Sequence, residues 1–456
     1  MKKLFAAVAA IAPAAAFAAD GASAGDTALV LLSAGLVMLM TPGLAFFYGG
    51  LVRSKNVVHT MNLSIAVMGV AGVLWALFTY SLSFAPGGAL DAVVGGLSWI
   101  GLRGVGDAPE ATLAGTVPHS AFMLFQGMFA VITPALISGA LVERVRLKPY
   151  LLFIAFWCVF VYAPVAHWVW APGGWLRGLG VLDFAGGTVV HINAAAAALV
   201  GAVLLGKRRG LRTPTVLPHN VPFAILGMGL LWFGWLGFNG GSALAANGLA
   251  ATAFANTFLA PAAAAITWGL VELFLHDKMS GVGLASGAVA GMVAITPAAG
   301  FVTPAASLAI GVLAAGASFA AVRLRPRLGL DDALDVFAVH GVAATLGALL
   351  TGAFASTAVN SAGADGSLFL VAKQALGVVT TLAFSGLVSF ALYKLVNAIT
   401  PLRADEQDEW TGMDEAEAGE RGYITADLDS APGAAASAPR PVASPKPSPV
   451  PRPSAG

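Results

Sequence analysis

Apolar runs of about 20 residues recur along most of this chain, each long enough to cross the hydrocarbon layer of a bilayer as a helix. That repetition restricts the fold class to an all-α integral membrane protein. Composition agrees: 58% of residues are hydrophobic and 10% charged, against about a quarter charged in soluble domains. The runs are rich in Gly and Ala, which suits helices that must approach closely with no hydrophobic force between them. Judged by length and polar flanks, eleven spans start near Thr27, Met61, Ser120, Tyr150, Gly186, Asn220, Leu249, Ser280, Pro304, Leu334 and Leu368.

The first residues, "MKKLFAAVAAIAPAAAFAAD", carry Lys2 and Lys3, a short apolar core and Ala16-Phe17-Ala18. They fit a signal peptide over residues 1–18, whose removal leaves the N-terminus outside. Cys158 is the single cysteine, so an intrachain disulfide and a thiolate metal cluster are excluded. The net charge of +1 says little about partners, and no nucleic-acid partner is expected.

Basic residues fall in alternate loops: Arg53 and Lys55; Arg144, Arg146 and Lys148; Lys207, Arg208, Arg209 and Arg212; Lys278; Arg323, Arg325 and Arg327. By the positive-inside rule those loops face the cytoplasm, giving N-outside and C-inside. "AVITPALISG" at 130–139 resembles "VAITPAAG" at 293–300, and "VVHINAA" at 189–195 resembles "AVHGVAA" at 338–344. Two related halves of five helices follow, with an inverted second half and a site at their interface. The membrane domain is expected over 26–400. An acidic segment, "PLRADEQDEWTGMDEAEAGERGYITADLDS", follows over 401–430, and the Pro/Ala/Ser-rich end over 431–456 is expected to be disordered.

His191 lies inside the fifth span and His340 inside the tenth. An ionisable residue within a membrane is costly and is a functional candidate whose partner should be named. The repeat puts the two at equivalent depth, where neutral imidazoles can share one hydrogen bond and turn their outer nitrogens to a pore. Separately satisfied core histidines are the bland alternative, and the matched repeat positions argue against it. Asp183, eight residues before His191 and followed by Gly186 and Gly187, is placed to cap a helix N-terminus. Aromatic residues gather at the same level: Phe125, Phe129, Trp168, Trp170, Trp235 and Phe238. An aromatic face beside a hydroxyl, such as that of Ser242, can hold a small cation. His167 reads as an interfacial histidine; His59, His119, His219 and His276 fall near span ends.

"DFAGGTVVHINAA", "FQGMFAVITPALISGALVERVR", "GWLGFNGGSA" and "DVFAVHGVAA" together resemble the ammonium transporter (Amt/Mep/Rh) family, on its bacterial Amt side, over about Gly35 to Tyr423. The resemblance implies an eleven-helix inverted-repeat fold in the bacterial inner membrane, assembled as a homotrimer with one pore per subunit. It makes His191 and His340 the pore pair, Phe129 and Phe238 a stacked gate, and Trp170, Ser242 and Phe129 the outer ammonium site. Asp183 matches an aspartate the family needs for function. The segment "DEWTGMDEAEAGERGY" is similar to the one that supports docking of the PII protein GlnK. The substrate is then ammonium or ammonia, and no enzyme activity, metal or cofactor is expected.

A bare monovalent ion in a dry apolar medium costs tens of kcal/mol by Born estimates, so passage as NH3 after loss of a proton is the expected mechanism. Three rivals are an ammonium sensor on the same fold, a channel for a small neutral molecule such as CO2, and a redox protein with His191 and His340 as axial haem ligands. Trp170 and Ser242 argue for a cation-recruiting mouth over the second, and no other motif asks for haem. With about 55 residues after Pro401, a sizeable signalling domain is not expected.

Overall fold

A computed structural model describes residues 21–210 and 217–423. The signal peptide expected over 1–18 and the Pro-rich end over 431–456 lie outside the described residues.

Among the described residues, ten helices are long and apolar enough to cross a membrane. In chain order with one shorter helix they are α1 (Ala24–Leu51), α2 (Ser54–Phe84), α3 (His119–Leu141), α4 (Leu147–Gly178), α5 (Gly187–Leu205), α6 (Val221–Ala243), α7 (Gly248–His276), α8 (Gly281–Ile295), α9 (Pro304–Leu328), α10 (Phe337–Phe354) and α11 (Leu368–Ile399). Counting α8, this is the expected eleven. With 15 residues, α8 reaches only about 22 Å, short of a bilayer. Residues 296–302 extend the segment as irregular backbone, which membrane depth tolerates only inside protein, and all of them are buried. Asn256 Nδ2 donates to the carbonyls of Ala299 and Val302 at 2.9 and 2.8 Å, satisfying groups a helix would have paired.

The halves repeat one another in their packing. The pairs α1–α3, α2–α3 and α3–α5 recur as α6–α8, α7–α8 and α8–α10, while α11 runs along α4, α5 and α10 outside the repeat. Helices α1 and α6 cross at Gly227, where a Cβ would lie 2.2 Å from the Phe47 nitrogen, so only glycine admits the contact.

The second span differs from expectation. It begins at Ser54 rather than near Met61 because its cap comes from far away in sequence: Asp414 Oδ1 accepts the His59 N–H at 2.8 Å. Local sequence carries no such signal.

The loops that hold the basic residues gather at one end, called here the basic end, around a buried ionic cluster. Glu143, fully buried, accepts from Arg53 Nε at 3.0 Å, Asn56 Nδ2 at 2.9 Å and Arg208 Nη1 at 2.9 Å. Arg208 also forks onto Asp331 at 2.8 and 3.0 Å. Burial alone would raise the Asp331 carboxyl, but the bonded Arg208 guanidinium holds it down, at about 2. The acidic segment folds onto the same end through α12 (Glu406–Thr411), with Arg403 paired to Glu409 at 2.7 Å and Arg146 to Glu417 at 3.3 Å.

Candidate functional site

The interior of the bundle is a file of rings between two cavities. At the end away from the basic loops, a cavity of about 150 Å3 is lined by Phe129, Trp170, Ser242 and Gln126 among others. Phe129 meets Trp170 edge-on at 5.6 Å and lies against Phe238 at 4.3 Å between centroids. Phe238 and Phe129 are 0% and 1% exposed, so together they close the cavity floor. Behind Phe238, at 6.0 Å, stands His191, stacked at 5.2 Å on Trp235. His340 follows, its Nδ1 3.3 Å from His191 Nδ1. His340 in turn lines a second cavity of about 340 Å3, which opens at the basic end.

Both histidines sit on unusual backbone. Residues Gly187–Ile192 and Phe337–Val342, the first turns of α5 and α10, are π-helical, a form found mostly as single turns and often at functional sites. Each turn starts beyond a carboxylate that takes its free N–H groups. Asp183 accepts four, from Gly186, Gly187, Thr188 and Val189 at 2.7–3.1 Å. Asp332 accepts two, from Val336 and Phe337 at 3.0 and 2.7 Å. Gly186 reaches Asp183 with a φ of 114°, a left-handed value that glycine tolerates best. Burial pushes the Asp183 carboxyl up, and the four N–H donors oppose it.

Asp332 stands eight residues before His340, as Asp183 does before His191. That repeated spacing was available in the sequence and marks Asp332 as the second half's counterpart of Asp183. The two histidines therefore hold equivalent places in the two halves: each stands eight residues beyond the carboxylate that caps its helix start.

Hydrogen bonds leave some atoms committed and others open. The Trp170 indole N–H donates to the Asp183 carbonyl at 3.1 Å, which fixes the ring plane against the cavity. Ser242 Oγ donates to the Phe238 carbonyl at 2.8 Å, leaving its lone pairs for a donor. Trp235 Nε1 donates to Thr296 Oγ1 at 2.8 Å. His191 Nε2 is buried with no partner. Nδ1 can share its one proton with His340, so Nε2 is the atom presented to whatever passes.

The remaining histidines lie elsewhere. His167 is fully buried and faces the carbonyls of Ser83 and Asp91, outside the cavity that Trp170 lines. His119 bonds Tyr80, His219 bonds Tyr423, His276 contacts Arg323, and His59 meets Val145. Trp168 packs on Phe384 at 4.5 Å and takes no part in the file.

The Ammonium Transporter Family profile matches residues 28–423. The chain belongs to that family. It is 49% identical over 404 residues to an ammonium transporter of Bacillus subtilis (strain 168), covering 88% of this chain and 98% of the relative. Mep2 of Saccharomyces cerevisiae superposes with a TM-score of 0.80 at 36% identity, covering 85% of this chain and 89% of that one. A solved sensor Amt protein also matches, with a TM-score of 0.80 at 27% identity over 86% of this chain and 98% of the other. The family transports ammonium and is not enzymatic, so the ring file reads as a conduction path rather than a catalytic centre.

Proposed function

We propose that this multi-pass ammonium transporter recruits NH4+ beside Trp170, Phe129 and Ser242, removes one proton and conducts NH3 past Phe129 and Phe238 to the His191–His340 pair. The Trp170 and Phe129 rings attract the ion by cation–π interaction and Ser242 Oγ accepts one N–H, a combination worth about 1–3 kcal/mol at a partly exposed mouth. Two closed phenyl rings offer nothing in place of the ion's water shell, so desolvation favours the neutral form. Potassium has no proton to give up, and the deprotonation step therefore supplies the selectivity that cation–π attraction lacks. Asp183 acts through position: it holds the first turn of α5 and thereby His191.

The observation that carries this reading is the partnerless His191 Nε2 within the buried pair. Nε2 can bond the passing ammonia, and the pair relays the released proton, so that nitrogen and charge move together. The basic end is taken as cytoplasmic by the positive-inside rule, in the bacterial cell membrane. The acidic segment over 401–430, whose described residues to Tyr423 pack there, is the docking surface for a PII-type regulator such as GlnK, and three copies assemble as a homotrimer.

The test is the transient current from purified protein in liposomes after an ammonium jump, with a potassium jump as control. Wild type gives a current with ammonium alone. His191→Ala and His340→Ala fold but lose it, and a double Ala variant with full current would remove the pair from the mechanism.

A further inference from the structure

The two mouths of the path differ in chemistry. The polar side chains around the outer cavity are Gln126, Arg177 and Ser242. Around the cytoplasmic cavity, two carboxylates, Asp335 and Glu272, stand with Arg208, Arg325 and His340. The carboxylates are not equivalent. Glu272 accepts from Ser280 N at 2.8 Å, Ser280 Oγ at 3.1 Å and Trp268 Nε1 at 3.3 Å, and so braces the α7–α8 corner. Asp335 Oδ1 lies 3.0 Å from an Arg325 nitrogen, yet the alignment is poor and it accepts no hydrogen bond. A carboxylate ion-paired with Arg325 but without a hydrogen bond at Oδ1 thus stands at the wall of the cavity that His340 closes.

Asp335 stands five residues before His340 with a φ of 59°, which takes it out of the helical line just before α10. Burial raises its carboxyl, Arg325 and Arg208 oppose, and Asp332 and Asp331 add to the rise, with the balance at about 7. Glu272, His340 and Tyr48 complete the titratable groups of the cavity.

We propose that Asp335 is the proton-transfer group of the cytoplasmic mouth. As the acid it gives its proton to NH3 arriving from the histidine pair: the carboxyl O–H breaks, an N–H forms, and NH4+ leaves a carboxylate beside Arg325. The proton released at the outer mouth and relayed through the pair restores the acid, so each cycle moves one nitrogen and one positive charge. This step rests on the relay reading above.

The test uses the full chain in liposomes, reading transient current and internal pH together. Asn tolerates a left-handed φ better than most residues, so D335N keeps the backbone while removing the proton and the charge that faces Arg325. D335N is expected to lower the ammonium current about tenfold or more. The wild-type current should fall as internal pH rises through about 7, because the acid form is lost, and D335N should lack that limb. E272Q, in the same cavity, should keep both current and pH profile. An unchanged current in D335N, or an equal loss in E272Q, overturns the role of Asp335 while leaving the histidine relay intact. No wild-type current, with ammonium-driven alkalinisation in every variant, overturns the relay itself and this step with it.

Discussion

At the scale of single residues, the proposed path assigns affinity and conduction to different side chains. In the proposed path Ser242 meets the ion only at the mouth, so Ser242→Ala should raise the half-saturating ammonium concentration roughly two- to tenfold, the worth of one hydrogen bond, with little change in maximal current. A concentration series of transient currents checks this, and an unmoved midpoint would take Ser242 out of the site. The same scale shows what a sequence can disclose. His191, His340, Phe129, Phe238, Trp170 and Ser242 were legible because each pairs an unusual residue type with a recurring or family-like neighbourhood, and the structure brings all six into one file. Asp335 was not legible: one aspartate among three near a span end, it is distinguished only by its φ and its missing hydrogen bond.

At the scale of elements, the start of α5 depends on one side chain. In Asp183→Asn one oxygen remains for four backbone N–H groups, and the amide nitrogen opposes the rest. Each buried donor left unpaired costs about 1–3 kcal/mol, so the variant should melt at a visibly lower temperature and lose current as well. Asp332→Asn, with two N–H groups at stake, should lower the melting temperature less. Thermal unfolding in detergent ranks the two, and equal shifts would contradict the capping account. Spans were readable from apolar length, whereas the π turns were not: over six residues a slightly wider helical period looks the same in an apolar, small-residue run. The early start of α2 was unreadable for a different reason, its cap residing 355 positions away.

At the scale of the whole molecule, the ionic cluster at the basic end ties four loops together. Arg208→Ala would take the forked guanidinium from buried Asp331 and leave Glu143 with Arg53 alone as its cation, and should cost roughly 3–5 kcal/mol. Arg146→Ala, whose pairs with Asp405, Asp408 and Glu417 are partly exposed, should cost under about 1 kcal/mol. Unfolding of both variants tests the contrast, and a mild effect of Arg208→Ala would mean that the cluster relaxes. The sign with pH is fixed by Asp331: with its carboxyl held down to about 2, the stabilisation is full above the unfolded value of 3.8 and is lost as pH falls toward 2. The charges were visible in the sequence as a topology signal only, since Glu143 and Asp331 meet Arg208 across 65 and 123 positions.

The unlike mouths of the path, aromatic and hydroxyl-bearing at one end, carboxylate-lined at the basic end, invite the idea of a one-way valve. Detailed balance forbids it. A passive route with different ends has different apparent affinities from its two sides, but at equilibrium its forward and reverse fluxes cancel whatever lines the openings. Gradient formation then has to come from outside the fold. Under the proposed relay, charge moving with nitrogen would couple the accumulation ratio to the membrane voltage, at about 2.3 kcal/mol per 100 mV, or roughly fiftyfold enrichment per 100 mV. The asymmetry of this pore decides how fast that ratio is approached, and the cell's energised membrane decides what it is.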